Sequence, residues 1–268
     1  MRLEDYLQRI GYSGSLEPTL ATLTALHRAH LMAIPYENLD IHRGGTLSVE
    51  VDKTFDKIVT RRRGGWCFEM NGLLGWALRE LGFDVTLLSS DVRSEFVGDG
   101  SSGDHLVLMV RLDQRPYLVD VGFGNGLLEP IPLEPGTYTQ GFLTYHLLNE
   151  GERWFFQNHQ YGGPGFIFTL QPHSMSDFSK RCHELQTLPE SGFVQNTVSF
   201  HFTPQGYVAL RGAVLTTVTA QGVTEQIVDN SATYEQVLNS QFGLQIDGIE
   251  PLWEKVWARH QAWLEENA

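Results

Sequence analysis

Cysteine is scarce in this chain: only Cys67 and Cys182 occur among 268 residues. Two cysteines so far apart do not make a disulfide framework, and neither shows the C-x-x-C or Cys/His spacing of a zinc site. We therefore expect both thiols to be reduced. We also expect no metal and no tightly bound cofactor.

Long apolar runs and basic residues are also lacking. The N-terminal stretch "MRLEDYLQRIGYSG" has no apolar core of a signal peptide, and no apolar run approaches the roughly 20 residues that span a bilayer. Nineteen basic residues stand against 32 acidic ones, which gives a formal net charge of -13. Such a charge disfavours a general nucleic-acid or anionic-membrane surface. We expect a cytoplasmic protein with no nucleic-acid or membrane partner.

The spacing of apolar residues changes along the chain. Up to about residue 84, apolar residues recur at helical spacing, as in "LEDYLQRIG" and "EPTLATLTALHRAHLMAIP". From Val85 the period becomes two, in short β-rich runs separated by Gly, Pro, Asp and Asn, which is typical of an antiparallel barrel or sandwich. Beyond Pro189, strand-like runs precede the helical "PLWEKVWARHQAWLEE". The pattern predicts an α+β fold.

One cysteine lies in the stretch "RRRGGWCFEMNG", residues 61–72. Helical periodicity begins at Cys67, so we expect its thiol in the first turn of a helix, where the helix dipole and a nearby imidazolium lower a thiol pKa. Gly64 and Gly65 are expected to leave room for a substrate carbonyl and an acyl group. The alternative is that Cys67 is simply a small buried apolar side chain.

A base and an acid follow on a predicted hairpin. His105 begins the run "HLVLMVRL", and Asp120 lies near the end of "PYLVDVG". If a two-residue loop joins these strands, both side chains share a face, and one of two such registers makes them diagonal neighbours. A one-residue slip would place them on opposite faces. Cysteine, histidine and aspartate in this arrangement form a thiol triad. The alternative is a strand-edge histidine and a turn acid bonded to backbone donors.

Four segments together resemble the arylamine N-acetyltransferases: "IPYENLDIH", "RGGWCFEMN", "DHLVLMV" and "YLVDVGFG". The resemblance extends over essentially the whole chain, including "SFHFTP". It implies a helical bundle in residues 1–84, a β-barrel in 85–188 and an α/β lid with a C-terminal helix in 189–268. The family shares its core with cysteine proteases and transglutaminases.

The resemblance also implies a reaction. Acetyl-CoA would acetylate the nucleophile Cys67, with His105 as base and Asp120 as its orienting acid. The acetyl-cysteine would then pass its acetyl group to an arylamine or arylhydrazine, or to the oxygen of an N-arylhydroxylamine, by a ping-pong mechanism. Coenzyme A and small aromatic amines or hydrazines are the expected partners, in xenobiotic metabolism, and the protein is a possible homo-oligomer.

Further residues acquire roles by the same resemblance. The acceptor pocket would be lined by Phe123, Phe202 and Tyr36, the last at a position where the family more often has phenylalanine. A charged pair beneath the nucleophile would be formed by Glu37 and Arg63. A loop approaching the coenzyme pyrophosphate would contain Gly122, Gly124 and Gly126.

Each of these residues also has a purely structural interpretation. The aromatic side chains would otherwise be ordinary core, the glycines turn formers, and the charged pair a loop acid and a solvated arginine. At the level of the whole protein, the alternatives are a transglutaminase-like or peptidase-like thiol enzyme acting on amides, and a catalytically inert binding module of the same fold.

Overall fold

A computed structural model describes residues 1–92 and 102–267. In its described part, the α-helices are α1 (Leu3–Arg9), α2 (Leu20–Ala33), α3 (Leu39–His42), α4 (Val51–Phe55), α5 (Cys67–Glu80), α6 (Ser179–Thr187), α7 (Gly192–Gln195), α8 (Ser231–Phe242) and α9 (Ile249–Glu266). A π-helical turn (Asp56–Thr60) continues α4, and a 3₁₀ turn (Met175–Phe178) precedes α6. Among the helices in these ranges, none is long and apolar enough to cross a membrane.

Two antiparallel sheets accompany the helices. The smaller one contains β1 (Tyr36–Glu37), β10 (Val198–Thr203), β11 (Gly206–Arg211), β12 (Val214–Thr219) and β13 (Gly222–Ile227), in the order β1-β10-β11-β12-β13. The larger one contains β2 (Asp84–Val92), β3 (His105–Leu112), β4 (Arg115–Val119), β5 (Ile131–Pro132), β6 (Gly136–Gln140), β7 (Leu143–Glu150), β8 (Arg153–Gln157) and β9 (Gly165–His173). Its order, β5-β4-β3-β2-β9-β8-β7-β6, forms a nearly closed barrel. The α+β fold is confirmed.

The N-terminal third of the chain also contributes to the C-terminal sheet. Strand β1 pairs with β10, with Tyr36 opposite Phe200 and Glu37 opposite Ser199. This short strand brings the segment that precedes α3 against the sheet formed by residues 198–227. The boundaries at residues 84 and 188 stay a prediction.

Helix α5 lies at the centre of the molecule. It packs against β2 and β3, and its apolar side chains, among them Phe68, Leu73 and Leu74, have no exposed surface. The helix begins at Cys67, as periodicity predicts. It ends just before Gly82, whose φ of 84° suits a residue without a Cβ. The cysteine is therefore the first residue of a buried helix.

The hairpin formed by β3 and β4 has the register that brings its acid closest to its histidine. Leu112 pairs with Arg115, and the two loop residues, Asp113 and Gln114, have φ values of 45° and 70°. Positive φ at both loop positions is the type I′ geometry of two-residue hairpins. Further along the ladder Leu108 pairs with Val119, so the next residue leaves the sheet beside the start of β3.

Candidate active site

The Cys67 thiol is buried at the start of α5, with 3% of the residue exposed. Its Sγ lies 4.0 Å from the carbonyl oxygen of Asp104, at the entrance to β3. Burial raises the pKa of the Cys67 thiol well above its usual range, and a hydrogen bond from the Phe68 backbone only partly opposes this. The expected lowering by the helix N-terminus is therefore outweighed by desolvation. A thiolate at this position needs a neighbouring group that takes the proton.

His105 and Asp120 form a buried pair. The His105 ring donates from Nε2 to Oδ2 of Asp120 at 2.8 Å, and each residue is 2% exposed. The second carboxylate oxygen, Oδ1, accepts hydrogen bonds from the side chain of Asn71 and from the backbone N–H of Gly122, both at 2.8 Å. Donors on both oxygens hold the carboxylate in one orientation. Because Nε2 carries the proton, Nδ1 is the ring nitrogen that remains for chemistry.

Asn71 contacts the candidate triad, although the sequence reasoning did not select it. It follows Cys67 by one helical turn, which places both side chains on the same face of α5. Its amide nitrogen also donates to the carbonyl of Leu106 at 2.6 Å, and its oxygen accepts from the backbone of Val121 at 3.0 Å. Asn71 thus joins α5 to β3 and to the residues after β4. A polar residue one turn after a candidate nucleophile, on the apolar face of the helix, was the available signal.

The opposite face of α5 meets a group of charged side chains that we call the ion network: Glu37, Asp40, Lys57, Arg63 and Glu69. Arg63 pairs with Glu37 at 2.7 Å and with Asp40 at 2.8 Å. Lys57 pairs with Glu69 at 2.8 Å and with Asp40 at 3.5 Å. The structure therefore brings Glu37 and Arg63 together, and it adds three charged residues that the sequence analysis did not select.

Four members of the ion network are buried and Asp40 is partly exposed, and the pKa shifts reflect both burial and the charged partners. Burial raises the pKa of Glu69, and the Lys57 ammonium only partly offsets the effect. For Lys57, burial alone would lower the pKa, but the carboxylates of Glu69, Glu37 and Asp40 outweigh it and raise the pKa. The network also reaches the backbone, since Glu69 accepts from the N–H of Trp66 at 3.1 Å. It thereby caps the helix that carries Cys67.

A cleft of about 1420 Å³ opens beside Cys67 and His105. Tyr36, Phe123 and Gly122 line it, as do Phe200, Tyr207 and the loop residues Gly162 and Gly163. The ring of Phe123 lies edge-on to the His105 imidazole, with 5.3 Å between centroids. Two of the aromatic residues assigned to the acceptor pocket, Tyr36 and Phe123, therefore lie at the cleft.

The structure does not bring Phe202 to the cleft. That side chain is 2% exposed and packs against Tyr207, with 5.9 Å between ring centroids. Phe200, on the same face of β10, lines the cleft instead and packs edge-on against Tyr36. On the neighbouring strand β11, a tyrosine ring (Tyr207) lies opposite Phe202, whereas the small Ala209 lies opposite Phe200.

The glycines of the loop after β4 are packed against protein. A Cβ on Gly122 would lie 2.8 Å from Cα of Cys67, one on Gly124 would lie 2.7 Å from the Phe200 ring, and one on Gly126 would lie 2.9 Å from Cβ of Phe123. Gly122 lines the cleft, but its missing side chain allows the loop to approach α5 closely. The contact of this loop with a pyrophosphate stays a prediction.

The glycine pair before Cys67 does not leave room for an acyl group, contrary to our expectation. A Cβ on Gly64 would lie 2.3 Å from the carbonyl oxygen of Pro35, and one on Gly65 would lie 2.8 Å from the Ile58 side chain and 3.0 Å from Cβ of Glu69. The backbone at Gly64 and Gly65 is therefore packed closely against the Pro35 carbonyl and the Ile58 and Glu69 side chains. Within residues 1–92 and 102–267, no group of three or more His, Cys, Asp or Glu residues could hold a metal ion.

The molecule thus combines helices with a nearly closed barrel, and Cys67 and the Asp120-bonded His105 lie at one cleft. A family model described as N-acetyltransferase matches residues 19–250. The chain belongs to the arylamine N-acetyltransferase family, whose activity is acetyl transfer.

Individual relatives agree with this assignment. The chain is 38% identical over 244 residues to the arylamine N-acetyltransferase pineal gland isozyme NAT-3 of Gallus gallus, which covers 81% of this chain and 83% of the relative. The structure of the Mycobacterium marinum arylamine N-acetyltransferase in complex with CoA superposes with a TM-score of 0.86 at 31% identity, covering 96% of this chain and 98% of that one. The Salmonella typhimurium enzyme gives the same TM-score and coverage at 28% identity.

Proposed function

We propose that this protein transfers an acetyl group from acetyl-CoA to arylamines and arylhydrazines through an acetyl-cysteine at Cys67. The observation that carries the proposal is the hydrogen bond of 2.8 Å between His105 and Asp120, on the wall of the cleft that also contains Cys67. The coenzyme is supported by the M. marinum relative, whose structure is a complex with CoA.

In the first half-reaction, the Cys67 thiol gives its proton to Nδ1 of His105, and the thiolate attacks the thioester carbonyl of acetyl-CoA. The tetrahedral intermediate expels the coenzyme thiolate, which takes the proton from His105. A thioester bond forms at Cys67 as the bond to coenzyme A breaks. Asp120 holds the imidazole in the tautomer with Nε2 protonated and stabilises the imidazolium.

Burial of the thiol makes the base necessary. Because desolvation raises the pKa of the Cys67 thiol, an isolated thiolate there is disfavoured. Transfer of the proton to His105 yields a thiolate–imidazolium pair, whose opposite charges lie together beside the Asp120 carboxylate.

In the second half-reaction, the amine nitrogen of the acceptor attacks the acetyl carbon and loses a proton to His105. The Cys67 thiolate leaves and recovers that proton, so the enzyme returns to its starting state. An N-arylhydroxylamine would present its oxygen in place of the nitrogen. Tyr36 and Phe123 offer ring surfaces for the aryl group, and Phe200 extends the same wall.

Intact-protein mass spectrometry after mixing with acetyl-CoA tests the proposal. We expect one acetyl group on the wild type, removed when an arylamine is added, and none on Cys67→Ser. Cys182→Ser is the matched control, since Cys182 is equally buried but does not line the cleft; it should be acetylated as the wild type is. An acetyl group that persists in Cys67→Ser, or a wild type that catalyses transfer without any acetylated enzyme, would refute the mechanism.

The cytoplasmic location and self-association stay predictions. Fractionation of the source cells and light scattering of the purified protein test them separately.

A further inference from the structure

His27 is fully buried in the middle of α2, and both of its ring nitrogens face backbone carbonyl groups. Nε2 lies 3.1 Å from the carbonyl oxygen of Asp120, and Nδ1 lies 3.1 Å from that of Leu128. One imidazole therefore touches both ends of segment 120–128.

Segment 120–128 forms part of the cleft wall and contains Asp120, Gly122 and Phe123. Side chains from other elements hold its interior. Tyr145 donates its hydroxyl to the carbonyl of Gly126 at 2.9 Å, and His159 lies 2.8 Å from the carbonyl of Asn125. The carbonyl groups at the two ends of the segment meet at His27.

We infer that His27 is a positioning residue for acetyl transfer: it holds the backbone of segment 120–128 so that the Asp120 carboxylate meets His105. The inference rests on the proposed function of Cys67, His105 and Asp120. The position of the Asp120 carboxylate depends on the position of its backbone. Small displacements of catalytic groups have large effects on rate. His27 touches no reacting atom and acts through Asp120.

The protonation state of His27 fits a constant positioning role. Burial lowers the pKa of His27 to about 4, and the carbonyl of Leu128 and the charge of Asp120 oppose this only in part. The charged and titratable groups that act on it are Asp120, Glu129 and, on its own helix, His30. At neutral pH the ring is uncharged and carries one N–H, so only one of the two carbonyl oxygens accepts a hydrogen bond from it; the other carbonyl oxygen touches the ring without a hydrogen bond.

His30 provides a matched control on the same helix. It is also fully buried, but its Nδ1 lies 2.9 Å from the hydroxyl of Tyr6, and its Nε2 has no hydrogen-bond partner among the described residues. Loss of either imidazole creates a comparable defect in the packing of α2. Only loss of His27 releases segment 120–128.

The experiment compares His27→Gln with His30→Gln in the full-length protein. The readouts are thermal unfolding, the single-turnover rate of Cys67 acetylation by acetyl-CoA, and the pH dependence of Cys67 alkylation by iodoacetamide. We expect similar losses in melting temperature for both variants. We expect His27→Gln alone to slow acetylation, by about tenfold to a hundredfold, and to shift the pH profile of alkylation.

His27→Asn, with a shorter amide, serves as a second variant if His27→Gln does not fold. Equal acetylation rates in the folded His27 and His30 variants, or an unchanged alkylation profile in the His27 variants, would overturn the inference. Failure of the proposed function gives a different result, because the wild type would then form no acetyl-enzyme at all. Alkylation of Cys67 would still report whether His27 affects the thiol.

Discussion

Helix α5 separates two buried groups of polar side chains that are built differently. The cleft-side group consists of Cys67, Asn71, His105 and Asp120. Its single carboxylate, that of Asp120, accepts hydrogen bonds from the Asn71 amide, the Gly122 backbone N–H and the His105 imidazole. On the other face, the ion network alternates three carboxylates with two cations. Cys67 and Asn71 are one turn apart, whereas Glu69 lies between them in sequence and points the opposite way.

The difference indicates a division of roles along two turns of one helix. In the ion network, every charge is paired with another charge of the protein, so the group is complete without a ligand. In the cleft-side group, His105 lines an open cleft and has one ring nitrogen engaged by Asp120. We expect changes to the first group to reduce stability and changes to the second to reduce rate.

The largest expected effect is that of Asp120→Asn on the rate. The new amide can still accept from Asn71 and Gly122 through its oxygen, but its nitrogen then faces Nε2 of His105. This stabilises the wrong imidazole tautomer, with Nδ1 protonated, and we expect kcat/KM to fall about 10³- to 10⁴-fold while the melting temperature changes little. Asp56→Asn, which alters an exposed carboxylate paired with Arg61, is the control and should keep full activity.

Next in size is the effect of Lys57→Met on stability. Removing the ammonium leaves Glu69 as a buried carboxyl without its cation, which costs about 3–5 kcal/mol of unfolding free energy. Denaturant unfolding measures the loss. Lys53→Met is the matched control, because Lys53 lies one turn earlier and is exposed beside Glu50; it should leave stability unchanged. A Lys57 variant as stable as the wild type would contradict the structural role of the ion network.

The pH dependence of that loss follows from Glu69. Burial raises its pKa in the folded protein, so between the unfolded and folded pKa values the folded state binds more protons than the unfolded state. Stability contributed in this way is present at acidic pH and is lost as pH rises through the folded pKa. The Lys57 ammonium opposes this rise, so its removal raises the pKa of Glu69 further. The loss of unfolding free energy in Lys57→Met should therefore be smaller at acidic pH than at neutral pH. A deficit that grows on acidification would contradict this assignment.

A smaller loss of stability is expected for Gly64→Ala. The added Cβ would lie 2.3 Å from the carbonyl oxygen of Pro35, so backbone must shift; overpacking of this kind costs about 1–3 kcal/mol. Gly136→Ala is the control, since the atoms nearest its Cβ belong to the Tyr138 side chain, at 3.5 Å or more. Thermal unfolding compares the two. If Gly64→Ala kept its stability and lost only activity, the glycine would serve the substrate after all.

The smallest effect is expected for Gly163→Ala, at the cleft. Its Cβ would lie 3.5 Å from the Phe123 ring, an ordinary contact that narrows the cleft without strain. We expect the KM for bulky arylamines to rise by about tenfold or less, with the acetylation rate of Cys67 unchanged. Steady-state kinetics over small and large acceptors measures this. Equal effects on all acceptors would show that Phe123 does not contact the aryl group.

The parts of this arrangement that could be predicted are local in sequence. Apolar periodicity places the start of α5 at Cys67, and a two-residue loop between β3 and β4 leaves two registers that both put His105 and Asp120 on one face. The structure has the register that brings them closer. Helix α8 was missed, because its polar residues obscure the periodicity in "SATYEQVLNSQF".

The remaining site features depend on contacts between distant segments. Lys57 lies in a π-helical turn and pairs with Glu69. The sequence pattern does not predict this backbone geometry. From the sequence, Gly64 and Gly65 are expected to leave space beside the nucleophile. In the structure, that space is occupied by the Pro35 carbonyl and the Glu69 side chain. Phe202 and Phe200 share a strand face, so periodicity alone does not tell which one reaches the cleft.

The most direct test of the account is the alkylation rate of Cys67 in the folded protein, measured by mass spectrometry with Cys182 as the internal reference. We expect Cys67 to react much faster than Cys182. Asp120→Asn should slow Cys67 at least about tenfold, and Cys67 in folded Lys57→Met should react nearly as it does in the wild type. Equal reactivity of the two cysteines, or equal slowing by Asp120→Asn and Lys57→Met, would contradict the division of roles between the two faces of α5.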